Sequence, residues 1–193
     1  MERSIDTKSI EASVASILIA LGKDPTSPEL AETPKRVAKM YEEIFEGELY
    51  SNSEIAEMHG KTFDFLPSRS DEPGNSVVVV KNIETFSTCE HHMALMYDMN
   101  ITVAYIPVER VLGLSKIPRI CELVCKRLQL QEKIGQDIAE IITEITGTYD
   151  VAVLIDAKHS CVGARGIKKQ NTVTSTAFLG GRFKNEYFPQ LYT

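Results

Sequence analysis

Between Val77 and Leu179 the spacing of apolar residues changes from every second residue to every third or fourth, and then back again. Few folds accommodate that order. Val77 to Val80 is a β-branched run continuing to Phe86, and from Met99 to Ile106 the chain alternates, with Met99, Ile101, Val103 and Tyr105 on one face. These read as two antiparallel strands joined through Cys89-Glu90-His91-His92. After Pro107 a short VLGL run leads into a helix from about Ser115 to Leu128. A second is expected from about Gln131 to Ile145, where Ile134, Ile138, Ile141 and Ile145 keep helical spacing and Gly147 stops the run. Val151 to Asp156 reads as a buried strand and Asn171 to Leu179 as a polar, threonine-rich one. Strand, strand, helix, helix, strand, strand predicts an α+β fold, a four-stranded antiparallel sheet with two helices on one face.

The segment ahead of the first strand reads as helical. Ile10, Val14, Ile17, Leu18 and Leu21 share one face and Gly22 ends that helix. A second has Thr33 as N-cap, Pro34 in its first turn, Val37, Met40, Tyr41 and Ile44 on one face, and Gly47 as its stop. Both are expected to pack on something larger. The turn-rich, charged stretch Leu66 to Ser76 is expected to be a loop, dividing the chain into a helical region, 1–65, and a domain, 76–193. The 193 residues suffice for one domain with such an appendage.

The formal charge of -6 opposes a general nucleic-acid binder, which needs a basic surface to displace counterions. The N-terminus MERSIDTKSIEAS lacks a signal pattern, and no apolar run approaches the roughly 18 residues of a membrane span. A cytoplasmic location is expected, in which the four cysteines stay reduced. Cys121 and Cys125, four apart in a helical stretch, read as core residues.

Three of the four histidines lie in two short cysteine-containing segments, Cys89-Glu90-His91-His92 and His159-Ser160-Cys161. Zinc accepts thiolate and imidazole, and a C-x-x-H step across a tight turn brings Cys89 and His92 together while His91 faces elsewhere. On a strand, His159 and Cys161 project from the same side. A catalytic zinc held by Cys89, His92 and Cys161 would keep one position for water, whose pKa falls from about 15.7 to about 7 on such a metal. His91 and His159 would then serve proton transfer. A structural Cys2His2 site using both histidines, or one from each segment, fits the same spacing, and so does a chain without metal.

Lys116 and Arg119 open one helix, and Arg165, Lys168 and Lys169 follow Cys161. They could hold an anion or be solvated charge. Gln131-Glu132 opens the next helix, where an acidic residue suits the macrodipole; a carboxylate there could equally accept from the N–H and NH2 edge of guanine. His59, alone in EMHGK, reads as a surface residue.

With these residues in view, the chain resembles the GTP cyclohydrolase I family. The likeness runs from ALGKDP and TPKRVAKMYEEIFEG through STCEHH, VAYIP, GLSKIPRI, RLQLQE and HSCVGARG to STAFLGGRF. It implies the zinc-dependent hydrolytic conversion of GTP to 7,8-dihydroneopterin triphosphate and formate, the first step of tetrahydrofolate and pterin biosynthesis. It also implies one zinc per subunit on Cys89, His92 and Cys161, catalytic His91 and His159, and Ser115, Lys116, Arg119 and Arg165 at the ribose and triphosphate. Gln131 and Glu132 would meet the guanine. The fold implied is the tunnel fold, with sites between subunits of a homodecamer built from two pentamers.

Within that resemblance, the mechanism expected is hydration at C8 of guanine, ring opening, loss of C8 as formate, ribose rearrangement and pterin closure. His159 would protonate N7, His91 would share in proton transfer and Ser115 would assist at the ribose. The stretch MALMYDMN after His92 departs from the family pattern and is about one residue longer, and a short tail, KNEYFPQLYT, follows GGRF. Two other readings stay open, a zinc-stabilised scaffold without turnover and a tunnel-fold enzyme acting on another purine or pterin.

Overall fold

The computed structural model describes residues 3–64 and 76–191. The expected loop from Leu66 to Ser76 falls almost entirely outside them. In chain order, the helices are α1 (Thr7–Ala20), α2 (Thr33–Ile44), α3 (Asn52–His59), α4 (Lys116–Cys125), α5 (Gln131–Thr146) and the single turn α6 (Ser160–Gly163). The strands are β1 (Thr62–Asp64), β2 (Val78–Cys89), β3 (Ala94–Tyr105), β4 (Arg110–Leu112), β5 (Leu128–Gln129), β6 (Val151–His159) and β7 (Thr174–Leu179).

The main sheet runs β5-β2-β3-β6-β7. Its four long strands pair antiparallel as the hydrophobic period requires. The structure adds two-residue β5, which lies parallel to the end of β2. It also adds a small separate ladder of β1 and β4, where the sequence shows only the VLGL run. Met99, Ile101, Val103 and Tyr105 face one core together with Ile117, Ile120, Val124, Ile134, Ile138 and Ile141, so α4 and α5 cover the same side of the sheet. Each fully buried isoleucine there contributes about 1.5–3 kcal/mol. A smaller cluster of Ala104, Ile106, Ala152, Phe183 and Leu191 covers part of the opposite face.

Three expectations at the N-terminal side change. Thr33 is the first residue of α2, with Glu32 at the cap and no side-chain capping bond; the Thr33 hydroxyl instead accepts from Arg36. Gly47 does not stop α2, which ends at Ile44 with Phe45 as its C-cap; it lies buried in a 3-10 turn, Glu46–Leu49, against the carbonyls of Leu123 and Lys126. Helix α3, unread in the sequence, carries its own start signal. The Ser51 hydroxyl accepts from the Glu54 N–H while the Glu54 carboxylate accepts from the Ser51 N–H, a reciprocal cap. Helix α1 packs on α2 and leaves Ile17, Ile19 and Leu21 exposed. Among the described residues no helix is long and apolar enough to cross a membrane.

One buried network ties this region to the sheet domain. Arg127 donates to the carbonyls of Gly47 (3.2 Å) and Tyr50 (2.8 Å), to Asn52 Oδ1 (2.8 Å) and to Asp137 Oδ2 (3.0 Å). It holds the start of α3 against α5.

Within MALMYDMN, strand β3 carries a bulge. Tyr97 pairs with Lys158 and Asn100 with Asp156, so two residues of β3 stand opposite one of β6, and Asp98 sits at φ +48°. A second bulge at Asn82 in β2, φ +56°, offsets the first, and pairing from Ser87 to Cys89 regains the register of Val78 to Val80. The bulge therefore lies several residues from His92, and Cys89 still pairs with Ala94.

Candidate active site

The two metal-type segments come to one end of the sheet. Cys89 is the last residue of β2 and is buried beside Ala94. Glu90 to Met93 form the turn into β3, closed by Met93 at φ +50°, with His91 and His92 exposed. His159 ends β6, paired with Met96, and Cys161 lies in α6, which packs against β3. All four cysteines are free, and Cys121 and Cys125 are buried in the core as expected.

The start of α5 meets this end of the sheet through Gln131. That side chain is buried, only 2% exposed. Its Nε2 donates to the carbonyls of Ile155 (3.0 Å) and Thr174 (3.0 Å) and lies 3.2 Å from the Thr176 hydroxyl, while its Oε1 lies 2.7 Å from His159 Nε2. Glu132, exposed next to Gln131, is close enough to act electrostatically on His159. Burial outweighs that carboxylate and lowers the His159 pKa below the usual histidine value. Arg165 donates to His92 Nε2 at 2.9 Å. Because a guanidinium can only donate, His92 presents its Nε2 lone pair to Arg165.

Ser115, Lys116 and Arg119 do not join this group within the chain. Helix α4 ends at Cys125, near β5, which pairs with Thr88 and Cys89. Ser115 and Lys116 stand at its other end, about 15 Å away at 1.5 Å per residue. There Lys116 and Arg119 lie near His59, which is half-buried rather than on the open surface expected for it. Burial and these two cations lower the His59 pKa. Lys168 and Lys169 are exposed beyond α6.

Comparison with known proteins gives the family. The sequence pattern of the family described as GTP cyclohydrolase I matches residues 10–190. The chain belongs to the GTP cyclohydrolase I family. It is 57% identical over 183 residues to a GTP cyclohydrolase 1 of Clostridium acetobutylicum, covering 95% of this chain and 93% of that protein. A GTP cyclohydrolase 1 of Clostridium botulinum (strain Kyoto / Type A2) is 56% identical over 184 residues, and one of Clostridium beijerinckii is 52% identical over 184 residues. Each alignment covers 95% of this chain and 93% of the relative.

GTP cyclohydrolase I is a family of zinc enzymes with the tunnel fold. The donor chemistry here suits that metal, since two free thiols and an imidazole are carried at neighbouring ends of β2, β3 and β6. Among the described residues, however, no three His, Cys, Asp or Glu side chains stand at metal-holding spacing. One reason is visible. If His92 binds metal through Nε2, it must give up its hydrogen bond from Arg165, because both need the same lone pair.

Proposed function

We infer that this chain converts GTP to 7,8-dihydroneopterin triphosphate and formate, the reaction of the family to which it belongs, with Cys89, His92 and Cys161 holding one zinc ion. The observation that carries this reading is the family match, which runs through residues 10–190 and so spans every segment of the candidate site. When bound, zinc supplies an activated water at neutral pH. The thiol of Cys89, buried beside Ala94, gives a ligand shielded from bulk water. Ligation by His92 frees Arg165, whose guanidinium then suits a phosphate oxygen.

His159 acts as proton donor to the guanine imidazole and His91, exposed in the turn, as its partner in proton transfer. Glu132, projecting at the start of α5, offers two oxygens to the N–H and NH2 edge of guanine. Gln131 belongs to the same end of the site, beneath Glu132 and against His159. Lys116 and Arg119 bind the triphosphate and Ser115 assists at the ribose. Their separation from the Cys89 end within one chain supports a site shared between subunits. The exposed Ile17, Ile19 and Leu21 of α1 support self-association, which we assign as a homodecamer of two pentamers. We place the protein in the cytoplasm.

The test is to incubate metal-quantified protein with GTP and assay formate together with an oxidisable fluorescent pterin. Absence of both products at full zinc occupancy would sink the assignment. Replacing His159 by alanine should stop turnover while zinc and GTP stay bound; full activity in that variant removes His159 from the mechanism.

A further inference from the structure

The hydrogen bonds around Gln131 decide which nitrogen of His159 carries hydrogen. Two of the groups facing one end of the Gln131 amide are backbone carbonyls, those of Ile155 and Thr174, each at 3.0 Å. A carbonyl oxygen only accepts, so the amide group pointing at them is the NH2. The opposite end, 2.7 Å from His159 Nε2, is then the amide oxygen, which also only accepts. His159 must therefore donate from Nε2. In the neutral ring Nδ1 is consequently bare, because an imidazole holds one N–H.

We propose that Gln131 is a positioning residue that fixes His159 as its Nε2–H tautomer and leaves Nδ1 as the atom through which proton exchange with the substrate runs. This rests on the role proposed above for His159. When the ring donates, the Nδ1 proton passes to the substrate nitrogen and Nε2 keeps its hydrogen bond to Gln131. The ring then regains its proton at Nδ1 from water. Because Gln131 is nine-tenths buried and anchored on two adjacent strands, β6 and β7, it holds the ring against rotation as well as selecting its tautomer. Gln131 acts through His159, with its NH2 turned to the strand carbonyls and its oxygen to the ring.

Neutron diffraction from deuterium-exchanged crystals of the zinc-loaded wild-type protein reads this directly. In crystals held at a pH above the histidine range, where the ring is neutral, deuterium on Nε2 of His159 supports the proposal and a bare Nε2 overturns it. Kinetics of Gln131→Met, nearly isosteric but without the amide, should show kcat lowered on the order of 10²-fold. The KM for GTP should stay within about twofold, as expected when an interaction of the transition state alone is lost. A raised KM with unchanged kcat would make Gln131 a guanine contact and overturn the proposal. If Gln131→Met does not fold, the wild-type neutron result decides alone. Formate release by the wild type is measured in the same preparation; its absence refutes the reaction, and with it the catalytic part of the proposal, whatever the ring's protonation.

Discussion

Replacing Arg127 by alanine removes a cation that is 12% exposed from a carboxylate, Asp137, that is 3% exposed. Breaking a buried pair from one side costs about 3–5 kcal/mol, because the remaining charge is left uncompensated. Here Lys133 and Asn52 also reach Asp137 and soften that loss, Lys133 only weakly since its side chain is 52% exposed. The Tyr50 carbonyl loses its donor as well, at about 1 kcal/mol if it stays dry, whereas the Gly47 carbonyl keeps the Tyr50 N–H at 3.3 Å. A net destabilisation of about 3 kcal/mol follows. For a chain of this size that lowers Tm by about 6–12 °C. The measurement is thermal and denaturant unfolding at matched protomer concentration, which holds any contribution of self-association constant. A cycle with Asp137→Asn should show the two substitutions to be less than additive by at least about 1 kcal/mol. Strict additivity, or a loss under about 1 kcal/mol for Arg127→Ala, would refute the view that this network joins α3 to α5.

Gly47→Ala should be more damaging than a surface change, because its Cβ would lie 2.1 Å from the Leu123 carbonyl oxygen and 2.8 Å from that of Lys126. Both are backbone atoms at the end of α4, so relief requires a backbone shift costing about 1–3 kcal/mol, readable as a lower denaturant midpoint. His59 has a folded pKa below its unfolded value of about 6.5, so the unfolded chain binds more protons just below that pH and stability falls as the medium is acidified through it. His59→Gln should flatten the unfolding curve against pH in that window, and an unchanged slope would show that burial and the neighbouring Lys116 and Arg119 do not lower its pKa. Burial pushes the Cys125 thiol up to about 12 and the Cys121 thiol well above its ordinary value. Both should resist alkylation at pH 8 until the protein unfolds, and stability should fall above about pH 9, where the unfolded thiols ionise and the folded ones do not.

Much of the scaffold is legible along the chain because its elements are long. The alternation through Met99, Ile101, Val103 and Tyr105 and the helical spacing of Ile134, Ile138 and Ile141 each encode which side is buried, and those faces meet in one core. Strands β1, β4 and β5, two or three residues each, are too short to show a period and form only because a neighbour offers an edge. Helix α3 was readable from its Ser51-x-x-Glu54 cap, a local signal that the apolar pattern alone does not carry. Thr33 misleads for a related reason. A good capping side chain also accepts hydrogen bonds from other partners, and Arg36 takes that role here.

The sequence by itself determined the order of the long elements, the two Cys-His segments and, through the motifs around them, the family. Those depend on residue type and local spacing, which are written along the chain. Only the tertiary structure decided that Gln131, at the start of one helix, is held by β6 and β7 and bonded to His159, and that Arg165 holds His92. It also decided that Ser115 and Lys116 stand a helix length from the Cys89 end. Hydrogen-bond donors and acceptors far apart in sequence meet only once strand register and helix packing are set, so the tautomer of His159 has no signature in any local motif.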